Sequence, residues 1–339
     1  MTSSLLGGPG DLFERGLVPL VLAAERSGLW RALTPAPQST ESLAARCGTS
    51  ARATALVLDA LAAAGACART PEGYARDEGM PGGWPWSELD GFLATGTPVV
   101  PIDAPARRGE LYRSAVGYLG ARFRRPAEAL AEVLPARGRV LDVGCGSAVW
   151  SRAMLARSPE ASLVGLDLPE VVAELTPRLQ AEEPALAERV TLVAGDYFEA
   201  VPEGRFDRVV MANVVHLETA EAAARLVARF AERLVPGGEL VVIDAFAEET
   251  FDDRLGRAFY AVHLGLRTAL GGVYGLADVA RWCEAAGLEG ARLVRCPGYS
   301  VMGAVVATRS RIGTLDRRNY LVMNPSTSTC RTGFEGFVR

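Results

Sequence analysis

The 339-residue chain contains no lysine: all 36 of its basic residues are arginine. This excludes a Walker-type phosphate loop, which needs a lysine to reach the phosphates. Histidine is nearly as scarce, with two copies, His216 and His263. The six cysteines (Cys47, Cys67, Cys145, Cys283, Cys296 and Cys330) form no C-x-x-C pair. Such scatter suits reduced thiols in a cytoplasm better than a disulfide framework. The N-terminus lacks a basic region followed by an apolar one, so no secretory signal is expected. No uncharged stretch approaches the roughly 20 residues needed to cross a bilayer. A net charge of −4 disfavours a broad surface for nucleic acid or anionic lipid. What is present, 49% hydrophobic and 22% charged residues, is the composition of an ordinary globular protein. The length allows two domains with sizeable cores.

Residues 1–100 are rich in Ala and Leu, punctuated at Pro35-Ala-Pro37, Pro71-Glu-Gly73 and Pro81-Gly-Gly-Trp-Pro85. Ser39 to Gly48 reads as a short capped helix ending at a glycine. Thr49 to Gly65 reads as a longer helix, and Cys67 to Tyr74 as a short two-stranded ribbon. Helix, turn, helix and wing make a winged-helix unit. A DNA reader would load its second helix with base-reading and phosphate-binding side chains. Here that helix offers Arg52 as its only base among Ala, Val and Leu, so it is expected to be buried and not to bind nucleic acid. Residues 101–137 read as a helical connector, with Tyr112, Tyr118 and Phe123 spaced to face inward.

From residue 138 to 309 the chain alternates apolar runs and helical segments, an α/β pattern. The expected strands are Val140–Val143, Ser162–Leu166, Val190–Val193, Arg208–Met211, Leu240–Asp244, Ala291–Arg295 and Met302–Ala307. Helical segments separate the first five, which implies a parallel sheet with right-handed crossovers. Cys296-Pro-Gly-Tyr299 leaves no room for a helix, so the last two form an antiparallel hairpin at the sheet edge. Residues 310–339 are polar and Arg-rich and read as an extension of no evident role.

The richest stretch is Arg139-Val-Leu-Asp-Val-Gly-Cys-Gly-Ser-Ala-Val149. It is a strand, a glycine turn and a helix start, a place where backbone approaches a ligand closely. Asp167 lies 21 positions past Gly146 at the end of a second apolar strand, where an acid can accept from both hydroxyls of a ribose. A dinucleotide loop would carry G-x-G-x-x-G, but its last position is Val149, and Asp142 sits inside the first strand.

V-L-D-V-G-C-G with a downstream acid resembles motif I of the class I methyltransferases that use S-adenosylmethionine (SAM). Val-Val-His216 after the fourth strand is similar to the corresponding segment of the O-methyltransferases of natural-product pathways. The resemblance covers about residues 10–308. It implies a Rossmann-like seven-stranded sheet behind an N-terminal winged-helix domain that mediates homodimerisation. It implies SAM as cofactor and a small-molecule acceptor, a phenol or enol. Asp142, Gly144, Gly146, Asp167, Leu168 and Asn213 are then expected around SAM. Asp196 would bond the adenine amino group, with Tyr197 or Phe198 covering the ring.

In the resembled family the histidine deprotonates the acceptor hydroxyl, and a neutral imidazole suits that near pH 7. Asp244, on the same sheet edge, is the expected orienting acid. Two departures stand out: Leu217 and Val273 occupy positions where plant members carry acids. Tyr112, His263 and Arg267 are expected in the acceptor pocket, Arg267 being able to hold a carboxylate. An alternative that accounts for the missing acids is metal-assisted C-methylation of a 2-oxo acid. The metal would sit on His216 and His263, with Asp244 or Glu218 added. The favoured reading needs no metal. Two further alternatives are a methyltransferase fold reused for other chemistry and a SAM-responsive DNA-binding regulator.

Overall fold

The computed structural model describes residues 20–63, 66–76, 89–246, 254–299 and 302–311. The Pro81–Pro85 punctuation, Cys330 and nearly all of the expected 310–339 extension lie outside the described residues.

The N-terminal part is helical apart from one ribbon: α1 (Leu29–Ala32), α2 (Thr40–Cys47), α3 (Ala51–Ala63), β1 (Ala68–Thr70) and β2 (Gly73–Ala75). The expected caps are in place. Ser39 Oγ accepts from the Ser42 N–H at 3.2 Å, and Gly48 ends α2 with φ 63°. Trp30, Leu33, Leu43, Leu58, Leu61 and Tyr74 form a small core. One expectation needs correction. The apolar helix α3 is not buried all round: Thr54, Leu58 and Leu61 face the core, while Leu56 is 61% exposed. Only a stripe at helical spacing finds a partner among the described residues.

α4 (Leu89–Thr95) and the 29-residue α5 (Pro105–Val133) lead into the sheet. Pro105 opens α5 at a position where its missing N–H costs nothing. The strands are β3 (Arg139–Val143), β4 (Ser162–Asp167), β5 (Val190–Ala194), β6 (Phe206–Ala212), β7 (Leu234–Ala245), β8 (Leu288–Arg295) and β9 (Met302–Arg309). They lie in the order β5-β4-β3-β6-β7-β9-β8. β3 to β7 are parallel, and β9 runs antiparallel between β7 and β8. Parallel strands covered on both faces must be apolar throughout, which is why they read as unbroken Val/Leu runs.

On one face α5, α6 (Val149–Ala156) and α7 (Pro169–Glu182) pack through Leu130, Met154, Leu155, Leu175 and Leu179. A one-turn helix, α8 (Pro184–Ala187), follows. On the other face α9 (Ala220–Ala231) and α11 (Leu276–Ala285) pack through Leu226, Phe230, Val279 and Trp282. α10 (Arg254–Gly265) stands between β7 and α11 in sequence. Pro236-Gly-Gly238 forms an irregularity within β7, where pairing jumps from Leu234 to Glu239. The chain runs outward from β3 to β5 and then returns to β6. This reversal opens a crevice at the carboxyl ends of β3 and β6.

Candidate active site

The residues at that crevice come from strand ends. Past β3 the backbone takes positive φ at Gly144 (66°), Gly146 (54°) and Ala148 (53°). A Cβ on Gly144 would stand 2.8 Å from Val214 Cγ2, so only glycine fits. Over Gly146 there is open space, and its N–H donates to Asp167 Oδ2 at 2.6 Å. The Leu168 N–H donates to the other oxygen at 2.7 Å. Asp167 thus spans the glycine loop and the start of α7 with lone pairs still available. Burial raises its pKa to about 6, against the lowering effect of the two N–H donors. Asp142 inside β3 accepts from Ser151 Oγ on α6, but its Oδ1 is buried with no partner. Burial raises its pKa to about 7.

After β5, Asp196 Oδ1 accepts from the Phe198 N–H at 2.7 Å, and its Oδ2 has no bond to a described residue. The Tyr197 ring lies against Gly144 and meets Phe198 edge-on at 5.1 Å. Asn213, in a left-handed conformation (φ 57°), accepts from Trp150 Nε1 at 3.2 Å at the end of β6. Unclaimed carboxylate oxygens, an open glycine loop and an aromatic wall fit a nucleoside with an aminoacyl tail, as SAM is.

His216 sits in a single 3₁₀ turn, Val215–Leu217, just past β6. Its Nδ1 lies 2.9 Å from both Asp244 oxygens, and the Ala245 N–H fixes that carboxylate at 2.8 Å. With Nδ1–H directed at Asp244, Nε2 is left to accept a proton. Tyr260 Oη approaches Nδ1 at 3.0 Å and Nε2 at 3.4 Å, and its ring meets the imidazole edge-on. The turn after α10 supports His216 from behind. Gly272 N–H donates to its carbonyl at 3.0 Å, and a Cβ on Gly271 would come within 2.0 Å of that oxygen.

Tyr260 also stacks on His263, with ring centroids 6.4 Å apart and 19° between planes. Burial, aided by the charge of Arg267, lowers the His263 pKa to about 4. Tyr112 on α5 is half-buried and packs on the same core, with its pKa raised by burial. The two histidines therefore meet through a phenol ring. Among the described residues, no three of His, Cys, Asp and Glu are grouped as metal ligands.

One cluster escaped the sequence reading. Glu218 Oε1 accepts from Tyr197 Oη at 2.6 Å and from Arg108 Nη1 at 2.7 Å, and Arg108 also meets Tyr197 Oη. This buried triad fastens α5 to the loops carrying Asp196 and His216. Arg108 is one arginine among 36 and lies 110 positions from Glu218, so no local pattern marks it. Tyr260 was within reach of sequence, being one helical turn before His263.

Residues 128–282 match the family model described as an O-methyltransferase domain. Among curated relatives, a 3-amino-4-hydroxybenzoate 4-O-methyltransferase of Streptomyces cremeus is 37% identical over 105 residues, 31% of this chain and 28% of that one. An L-tyrosine C(3)-methyltransferase of Streptomyces lavendulae is 28% identical over 186 residues, 53% of this chain and 50% of that one. The chain thus spans half or less of the length of these relatives. The human N-acetylserotonin methyltransferase in complex with SAM shares the fold at 19% identity, with TM-score 0.65, over 91% of this chain and 100% of that one. The motif resemblance is thereby supported: residues 128–282 match an O-methyltransferase domain, and the fold is the one found in the acetylserotonin enzyme.

Proposed function

We propose that the protein transfers the methyl group of SAM to a hydroxyl on an aromatic small molecule, with His216 as general base. The observation that carries this is the buried His216–Asp244 pair, 2.9 Å apart, at the sheet edge beside the glycine loop. When bound, SAM supplies a methyl already activated on a sulfonium, so the protein's task is alignment and deprotonation. Gly144, Gly146, Asp167, Leu168, Asp196 and Phe198 would hold the cofactor. His216 Nε2 would take the acceptor proton. Asp244 would keep the tautomer fixed and stabilise the imidazolium that forms. Tyr112 and His263 would wall the acceptor.

The name of the S. lavendulae relative, a C(3)-methyltransferase, supports a second reading, methylation at carbon assisted by a metal on His216 and His263. Magnetic resonance of the methylated product separates O- from C-transfer. The exposed apolar side of α3 around Leu56 supports a homodimer formed through the N-terminal part. Among the described residues no helix is long and apolar enough to cross a membrane. Methylation of a panel of phenols by purified protein, with and without His216→Ala, tests the reading. A variant that works as well as the parent would remove His216 from the mechanism.

A further inference from the structure

Arg267 closes the turn after α10. Its N–H donates to Leu264 O at 2.8 Å, and its own carbonyl accepts from the Ile102 N–H at 2.9 Å. The backbone is pinned, but the guanidinium is not. It makes no hydrogen bond or ion pair with a described residue, and its Nε is buried. Arg76, in the N-terminal part away from the sheet edge, has a bare Nε and Nη1. Arg208 and Arg229 also have a bare Nε, yet each of these two is held elsewhere. Arg208 bonds Glu239 at 2.5 Å, and Arg229 bonds the Glu199 carbonyl at 2.8 Å. A half-buried guanidinium whose buried Nε–H lacks an acceptor among the described residues is short of a hydrogen bond that an anion would supply. The acids nearest in the fold are committed: Asp103 to Thr268 Oγ1 and the Ala269 N–H, and Asp244 to His216.

The surroundings are those of the acceptor pocket. His263 and Tyr260 lie one and two helical turns before Arg267, and Tyr260 touches His216. The charge of Arg267 is felt at Tyr112, Tyr260 and His263. Arg267 therefore brings a positive charge to a corner flanked by the aromatic rings of Tyr112 and Tyr260.

We propose that Arg267 binds a carboxylate on the acceptor, so that the acceptor is a hydroxylated aromatic acid with its hydroxyl at His216. This rests on the methyl-transfer reading above. The shared chemistry has a second source, the carboxylate at the aminoacyl end of SAM, and the test separates the two. Binding of para-hydroxybenzoate and of its neutral amide to the S-adenosylhomocysteine complex is measured by calorimetry, for the parent, Arg267→Gln and Arg267→Lys. Calorimetry needs no turnover, so a failed methyl-transfer reading and a failed carboxylate site give different results.

The parent should bind the acid at least about tenfold more tightly than the amide. Arg267→Gln should erase that preference, and Arg267→Lys should restore part of it. S-adenosylhomocysteine affinity should stay the same in all three. Equal binding of acid and amide by the parent overturns the proposal. So does an Arg267→Gln variant that weakens S-adenosylhomocysteine and leaves the acid preference intact, which would assign Arg267 to the cofactor. Thermal melting of Arg267→Lys beside the parent confirms that the comparison is made on folded protein.

Discussion

A histidine serves as a base when one nitrogen is held and the other left open, and the Asp244 carboxylate does the holding here. His216→Ala should lower turnover by about a hundred- to ten-thousandfold while S-adenosylhomocysteine still binds. Activity assays beside calorimetry check this. Asp244→Asn keeps the shape but offers the imidazole a donor or a weaker acceptor, and should lose most of the same factor. Asp167 makes a separate claim. Asp167→Ala should weaken SAM by about 2–3 kcal/mol, or roughly 30- to 160-fold in Kd. Burial lifts this carboxyl to about 6, so it is ionised above that pH and protonated below. Cofactor affinity should therefore hold at neutral pH and fall as pH drops through 6, a trend that Asp167→Asn should flatten. Among single residues, those standing at the end of a recognisable strand were legible: Gly144, Gly146, Asp167, Asp196, His216 and Asp244. Arg108 and Glu218 were not paired from sequence because their contact is made across the fold.

The elements were legible where one physical rule dominates. Parallel strands buried on both faces read as continuous apolar runs, and α2 announced itself by Ser39 and Gly48. Surface packing was less legible. α3 reads as uniformly apolar, yet the chain covers only one stripe of it. The turn after α10 carries a Gly-Gly pair, Gly271-Gly272. The structure shows why Gly271 stands there: any side chain would strike the His216 carbonyl at 2.0 Å. Gly271→Ala should push the turn off His216 and lower turnover by about tenfold or more, with cofactor affinity kept within about threefold. Steady-state kinetics with calorimetry tests this, and an unchanged turnover number would show that the turn does not position the base.

Across the whole molecule, two structural demands act on one sheet edge. Beside the glycine loop stand the buried carboxylates Asp142 and Asp167, and beside His216 stand His263 and an arginine, Arg267, whose Nε has no partner among the described residues. Each leaves a mark on stability. His263 is lowered from 6.5 to about 4, so between those values the unfolded chain binds more protons than the folded one. Stability from this group is present above pH 6.5 and is lost as pH falls toward 4. Asp142, raised from 3.8 to about 7, acts in the opposite sense and favours the folded state as pH falls. The His263 contribution therefore has to be read as a difference. Parent minus His263→Asn stability, from urea melts, should decline as pH drops from 6.5 to 4. A flat difference would mean that His263 is solvated.

The most direct test of the central claim is a methyl-transfer assay with isotope-labelled SAM and aromatic hydroxyl compounds, run on the parent and on His216→Ala. The account predicts label on the acceptor oxygen with the parent. It predicts loss of that product in His216→Ala, with S-adenosylhomocysteine affinity unchanged. Labelled product formed equally by both proteins, or label found only on carbon, would contradict it.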